Sequence, residues 1–100
     1  MVEIIWTDPA LQELDAIAEY ISLGNPAAAS ALVDQVFKRA ERLADFPQPG
    51  RCPPELPNSV CRELVIPPCR IFYRENMGRI LVLYVMREER QLRAHMLGLK

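Results

Sequence analysis

Lysine is nearly absent from this chain, with Lys38 and Lys100 the two examples in 100 residues. The formal net charge is -1, so the broad basic field behind non-specific nucleic-acid binding is missing. Histidine occurs once, at His95, and cysteine three times, at Cys52, Cys61 and Cys69. An odd cysteine count at loose spacing excludes a disulfide framework, and one distant histidine makes no zinc pattern. The thiols are expected reduced, with Cys52 exposed in a polar loop and Cys61 and Cys69 packed as small hydrophobes. Long apolar runs are missing as well. The longest, Ile80 to Met86, falls far short of the ~20 residues of a membrane helix. The N-terminus carries Glu3 in place of a basic n-region, so no signal peptide is read. Neither a GxxxxGK phosphate loop nor an HExxH metal motif occurs. The expectation is a soluble, cytoplasmic protein with no cofactor and no metal.

What the chain does contain is apolar surface, at 50% of residues, enough for one small domain spanning 1–100. Its charge is unevenly spread. Residues 1–50 carry three basic against eight acidic side chains, a balance of -5, and residues 51–100 carry nine against five, a balance of +4. An anion-binding or acidic-partner surface is therefore expected in the C-terminal half.

The β-rich stretch Val2 to Thr7 reads as a strand. Asp8 can cap a helix that Pro9 opens, and Ala10, Leu14, Ile17 and Ile21 recur at helical spacing, predicting a helix over 9–22. Gly24-Asn25-Pro26 repeats that punctuation. A second helix follows to about Asp45, with Leu32, Val36, Ala40 and Leu43 in one stripe. The connection is so short that the two helices form an antiparallel hairpin. The segment 46–59, FPQPGRCPPELPNS, holds five prolines, which exclude helix and central strand. It is expected to wrap the edge of a sheet.

Three strands follow: Arg62 to Ile66, Cys69 to Arg74, and Arg79 to Met86, with a turn over 75–78. Pro67-Pro68 breaks the first pair while leaving a tight connection open. Both faces of the last strand are apolar, so it reads as central, with helices on one side. Its other side needs a cover, either the chain's own tail or another protein. The order β-α-α-β-β-β gives an α+β fold, a helical hairpin on a small, mainly antiparallel sheet.

These segments meet a family pattern. Trp6-Thr7 with Ala10, then Leu14, Ile17, Tyr20 and Ile21, then Pro47, Gly50 and Arg51, Arg62-Glu63-Leu64, Arg70-Ile71-Phe72-Tyr73, and Ile80 to Arg90 appear in the order and spacing of the RelE/ParE toxin superfamily. The chain resembles that superfamily over nearly ninety residues, and its hairpin, Pro47-x-x-Gly50-Arg51 and Arg62-Glu63-Leu64 resemble the ParE side. The resemblance implies a bacterial type II toxin-antitoxin or plasmid-stabilisation module, and a hetero-oligomer with a cognate antitoxin. It also implies one of two targets. ParE-like members act on DNA gyrase and are not known as nucleases; RelE-like members cut messenger RNA on the ribosome.

Metal-independent RNA cleavage needs a base for the 2'-hydroxyl, a phosphate clamp and an acid for the leaving oxygen. Arg62 and Arg87 match the RelE-like active-site arginines, and Arg51 and Arg70 stand as neighbours. The catalytic tyrosine of a RelE-like tail is missing, because Arg87-Glu88-Glu89-Arg90-Gln91 stands in its place. Arginine is a clamp and a poor proton shuttle. The lead expectation is thus a gyrase inhibitor working by protein contact, without direct DNA binding. The alternatives are a ribosome-dependent endonuclease using Arg62 and Arg87, and a degenerate, non-toxic binding module. Arg51, Arg70, Arg87, Arg90, Leu92 and Met96 are the expected target or partner contacts. Leu97 and Leu99 extend the apolar tail. The plainer reading of Arg62 and Arg70 is structural, paired with Glu63, Glu75 or a loop carboxylate.

Overall fold

The architecture follows from two apolar layers on either side of one sheet. A computed structural model describes residues 2–46 and 50–97; the expectations placed on Pro47 and Leu99 lie outside these. The order is β1 (Glu3–Trp6), α1 (Asp8–Ser22), α2 (Pro26–Glu41), a 3₁₀ turn (Arg42–Ala44), β2 (Arg62–Ile66), β3 (Cys69–Asn76), β4 (Arg79–Arg87) and a 3₁₀ turn (Ala94–Leu97). This is the α+β arrangement read from the sequence.

Both helix starts are built from local chemistry. Thr7, not Asp8, caps α1: its hydroxyl accepts from the Ala10 amide at 3.3 Å. The same Oγ1 lies 2.9 Å from the Val82 carbonyl and donates to it. The cap therefore sits one residue earlier than expected because it is also the join between β1, α1 and β4. Asn25 caps α2 by accepting from the Ala28 amide at 3.0 Å, with Pro26 opening the helix. The second helix ends at Glu41 and tightens into the 3₁₀ turn, shortening the element expected to reach Asp45.

The four strands lie in the order β1-β4-β3-β2. β2, β3 and β4 are antiparallel neighbours, while β1 runs parallel to β4, with Ile4 opposite Ile80 and Trp6 opposite Val82. The parallel edge follows from the connection, because a helical hairpin carries the chain across the sheet before it returns. Met77 and Gly78 turn β3 into β4 with φ of 53° and 77°. Two residues at positive φ are the mark of the tight hairpin turn whose twist matches the strands. β3 and β4 therefore reach Asn76 and Arg87, beyond their expected ends.

The two apolar faces of β4 have a structural cause. The ladder slips between Phe72, opposite Tyr84, and Tyr73, opposite Val82, leaving Leu83 as a bulge. Ile80, Val82 and Val85 consequently share the helix side. There they join Ala10, Leu14, Ile17, Leu32, Val36, Leu64, Ile66, Ile71 and Tyr73 in the main core. Trp6 and Phe37 pack there with ring centroids 4.7 Å apart and planes tilted by 53°. Tyr84 and Met86 face the other side, in a smaller core with Phe72, Cys61, Leu92 and Leu97, flanked by Leu56 and Met96. Of the two covers considered for this side, the chain's own tail and loop supply one.

Candidate functional site

The arginines that interrupt the strands converge on carboxylates of their own chain. On β2 and β3 the side chains alternate between faces, so Glu63 and Arg70 fall on the side away from the helices. Glu63 is wholly enclosed, with no exposed side-chain area. Its Oε1 accepts from Arg51 Nε at 2.7 Å and its Oε2 from Arg70 Nε at 2.9 Å. The other two nitrogens of Arg70 grip Glu55, at 2.8 and 2.7 Å. This is the fork-to-fork geometry that suits guanidinium and carboxylate. Arg70 also donates to the Arg90 carbonyl at 3.1 Å, and Glu55 Oε2 accepts from the Leu92 amide at 3.0 Å.

The cluster thus ties β2, β3, the proline-rich loop and the tail into one network. Its electrostatics follow from that geometry. Hydrogen bonds from Arg70 hold the Glu55 carboxyl down at about 2, against the opposing effect of burial. The same bonds raise Arg70 above its ordinary value, so it stays charged at any relevant pH. A buried pair of this kind is costly to break, because either partner left alone is an uncompensated charge.

The loop is held to the sheet edge, as expected. Arg51 and Glu63 exchange backbone hydrogen bonds at 3.0 and 2.7 Å, continuing the ladder past β2. Gly50 precedes this bridge, and its amide donates to the Tyr73 hydroxyl at 3.0 Å. A Cβ there would stand 2.6 Å from that hydroxyl and 2.8 Å from the Glu63 carbonyl. The Gly50-Arg51 pair in the loop thus has a packing origin: glycine for close approach, arginine for Glu63.

Arg62 and Arg87 are not brought together. Arg62 opens β2 opposite Tyr73, and Arg87 closes β4 opposite Cys69. Four residues of β3 and two strand-to-strand steps separate them, roughly 13 Å along the sheet and about 10 Å across it. Each is also engaged locally. Arg62 donates to the Gly50 carbonyl at 2.9 Å. Arg87 lies 2.7 Å from Glu89 and its guanidinium sits 5.4 Å from the Tyr20 ring centre. Burial pushes the Tyr73 and Tyr84 hydroxyls upward, away from neutrality. Among the described residues no group of His, Cys, Asp or Glu is placed to hold a metal. No described helix is long and apolar enough to cross a membrane.

The expected contact residues divide by burial. Arg51, Arg87 and Arg90 present side-chain surface, and Met96 is half-buried. Arg70 is 7% exposed and Leu92 2% exposed, so both are placed inside the chain, Arg70 by its two carboxylates and Leu92 by the smaller core. Of the readings offered for Arg70, the structural one describes its surroundings, with Glu55 as the loop carboxylate. Sequence reasoning offered Glu63 or a loop carboxylate as partners for Arg70 but did not single out Glu55. Glu55 carried a signal, being the sole acidic residue in a loop of prolines beside a basic strand.

A helical hairpin on a four-stranded sheet, with its charged residues spent on internal ties, defines a small α+β toxin-like scaffold. The chain belongs to the ParE toxin family: the model of the ParE toxin of type II toxin-antitoxin system, parDE, matches residues 4–92. It is 34% identical over 86 residues to Toxin RelE2 of Caulobacter vibrioides, covering 85% of this chain and 93% of that protein. Its fold is similar to a chain of the chromosomal ParDE TA system from P. aeruginosa, with a TM-score of 0.74 and 26% identity. That match covers 89% of this chain and 98% of the other. The protein is a toxin of the RelE/ParE type from a type II toxin-antitoxin module.

Proposed function

We propose that the protein inhibits DNA gyrase through protein contact, without cutting nucleic acid, and that a cognate antitoxin neutralises it in a hetero-oligomeric complex in the cytoplasm. One observation carries this reading. Arg62 and Arg87, the pair that would clamp a scissile phosphate, stand four residues apart along the sheet and two strands apart across it, each held by its own neighbours. A reaction centre needs its groups within hydrogen-bond reach of one substrate position. Burial raises Tyr73 and Tyr84, which makes neither a ready proton-transfer group. Contact with a protein target asks less of this geometry. The exposed Arg51 and Arg90 and the half-buried Arg87 and Met96 are the proposed contact residues; Arg70 and Leu92 support them from within.

The test is supercoiling by purified gyrase in the presence of the purified toxin, alongside growth of cells in which the chain is induced. Blocked supercoiling together with growth arrest supports the proposal. Arrest with gyrase unaffected overturns it and transfers the case to ribosome-bound transcripts, the activity of RelE-like toxins. Folded protein with neither effect marks a binding module without toxicity.

A further inference from the structure

Arg39, Arg42 and Phe46 stand three and four residues apart where α2 passes into its 3₁₀ turn, which brings them to one side of the helix end. With Leu64 of β2 they line an open cleft of about 450 Å³. Leu64 is 6% exposed and forms the floor, whereas Phe46 is 67% exposed, an unusual position for a large aromatic ring. Arg51, Arg70, Arg79 and Arg87 each have a carboxylate within 3.4 Å. Arg39 and Arg42 form no ion pair or side-chain hydrogen bond with any described residue. Cations at a helix C-terminus complement the helix dipole, which accounts for where the arginines are. It does not account for an exposed phenylalanine and an apolar floor beside them.

We infer that this cleft is a docking site for an acidic peptide segment of a partner protein, one that places a carboxylate beside an apolar side chain. The guanidinium groups supply fork-shaped donors for the carboxylate. Phe46 and Leu64 supply the apolar seat. Arginine together with an aromatic residue over an apolar floor is the composition of interface anchors. A nucleic acid fits less well, because two cations neutralise few phosphates. This site is separate from the proposed gyrase contact residues and stands or falls independently of that reading.

The experiment titrates isotope-labelled protein with a short capped peptide of leucine, alanine and glutamate, following amide shifts by NMR. The controls are the same peptide with glutamine at each glutamate, and a short single-stranded oligonucleotide. The glutamate peptide is expected to shift the amides of Arg39, Arg42, Phe46 and Leu64, and to bind about tenfold more tightly than the glutamine peptide. Arg39→Gln with Arg42→Gln should abolish the difference between the two peptides, with only the small drop in melting temperature that removing two cations from a helix end entails. Phe46→Ala, which keeps both charges, should weaken both peptides alike. Four results overturn the inference: no localised shifts, equal affinity for the two peptides, preference for the oligonucleotide, or a double variant that melts earlier yet binds the glutamate peptide as before. The last would assign the arginines to the helix end alone.

Discussion

Arg70 on β3 and Glu55 in the proline-rich loop meet through two parallel hydrogen bonds, 2.8 and 2.7 Å long, although fifteen residues separate them in the chain. Their side chains are 9% and 17% exposed, so water competes little for either. Behind them Glu63, with no exposure, bonds both Arg70 and Arg51, and the four charges cancel. The pair acts as the rivet through which the loop and the tail are fastened to the sheet.

Removing the rivet should therefore cost more than a surface pair would. Arg70→Ala strands Glu55, leaves Glu63 with Arg51 alone, and is expected to destabilise the fold by about 3–5 kcal/mol in urea unfolding. Arg70→Lys keeps the charge but loses the fork, and should fall between the variant and wild type. Hydrogen exchange at the Leu92 amide, which donates to Glu55, should accelerate in both. A loss below about 1 kcal/mol for Arg70→Ala would place the pair with ordinary surface bridges.

Acid should undo the same contact. The Glu55 carboxyl titrates at about 2 in the folded chain, below the 4.5 of a free glutamate. The unfolded chain takes up that proton first, so the stabilisation is fully present above pH 4.5 and is lost as pH falls toward 2. Melting curves across that window should show the wild type losing its advantage over Glu55→Gln. A constant gap down to pH 2 would refute the assignment.

Gly50 tests the loop's close approach. Gly50→Ala must push aside the Tyr73 hydroxyl or the Glu63 carbonyl, both under 3.0 Å from the new carbon. A loss of about 1–3 kcal/mol is expected from the strain and the displaced hydrogen bond. Thermal melts of Gly24→Ala provide the control, since a Cβ there meets nothing within 4 Å.

The thiols should divide by burial. Burial pushes Cys61 and Cys69 up to about 11, while Cys52 is exposed. Because the thiolate is the reactive form, a colorimetric thiol reagent at neutral pH should modify Cys52 rapidly and the other two only on unfolding. Fast reaction of all three in folded protein would contradict the packing of both cores.

At the β3–β4 turn, Met77 holds a φ of 53° with its side chain 93% exposed. A left-handed conformation is unfavourable for a side chain with nothing to gain from it. Met77→Asn or Met77→Gly should stabilise the protein by about 0.5–1 kcal/mol, read from the midpoint of denaturant unfolding. An unchanged or lowered midpoint would mean that the turn is not under this strain.

Much of the architecture was legible from local chemistry. Asn25-Pro26 starts α2 because an acceptor side chain and a fixed φ suit those two positions. Leu14, Ile17, Leu32 and Val36 are in the core because their spacing gives each helix one apolar side. Pro53, Pro54 and Pro57 kept residues 50–59 out of helix and central strand. The order of strands and helices, and with it the resemblance to the toxin superfamily, rested on the same signals. Other features required the sheet to exist first. The parallel pairing of β1 with β4 depends on where the hairpin returns the chain. The bulge at Leu83 depends on two cores meeting on one strand. The duties of the arginines depended on it most of all. Nothing adjacent to Arg70 in sequence predicts that it will reach Glu55, Glu63 and the Arg90 carbonyl at once. Periodicity and capping act within a few residues and are written into the sequence directly, whereas burial and charge pairing are set by groups brought together from distant segments. Sequence alone thus determined which elements form and which faces are apolar. Tertiary structure decided which charges are exposed for a partner and which are consumed in holding the chain together.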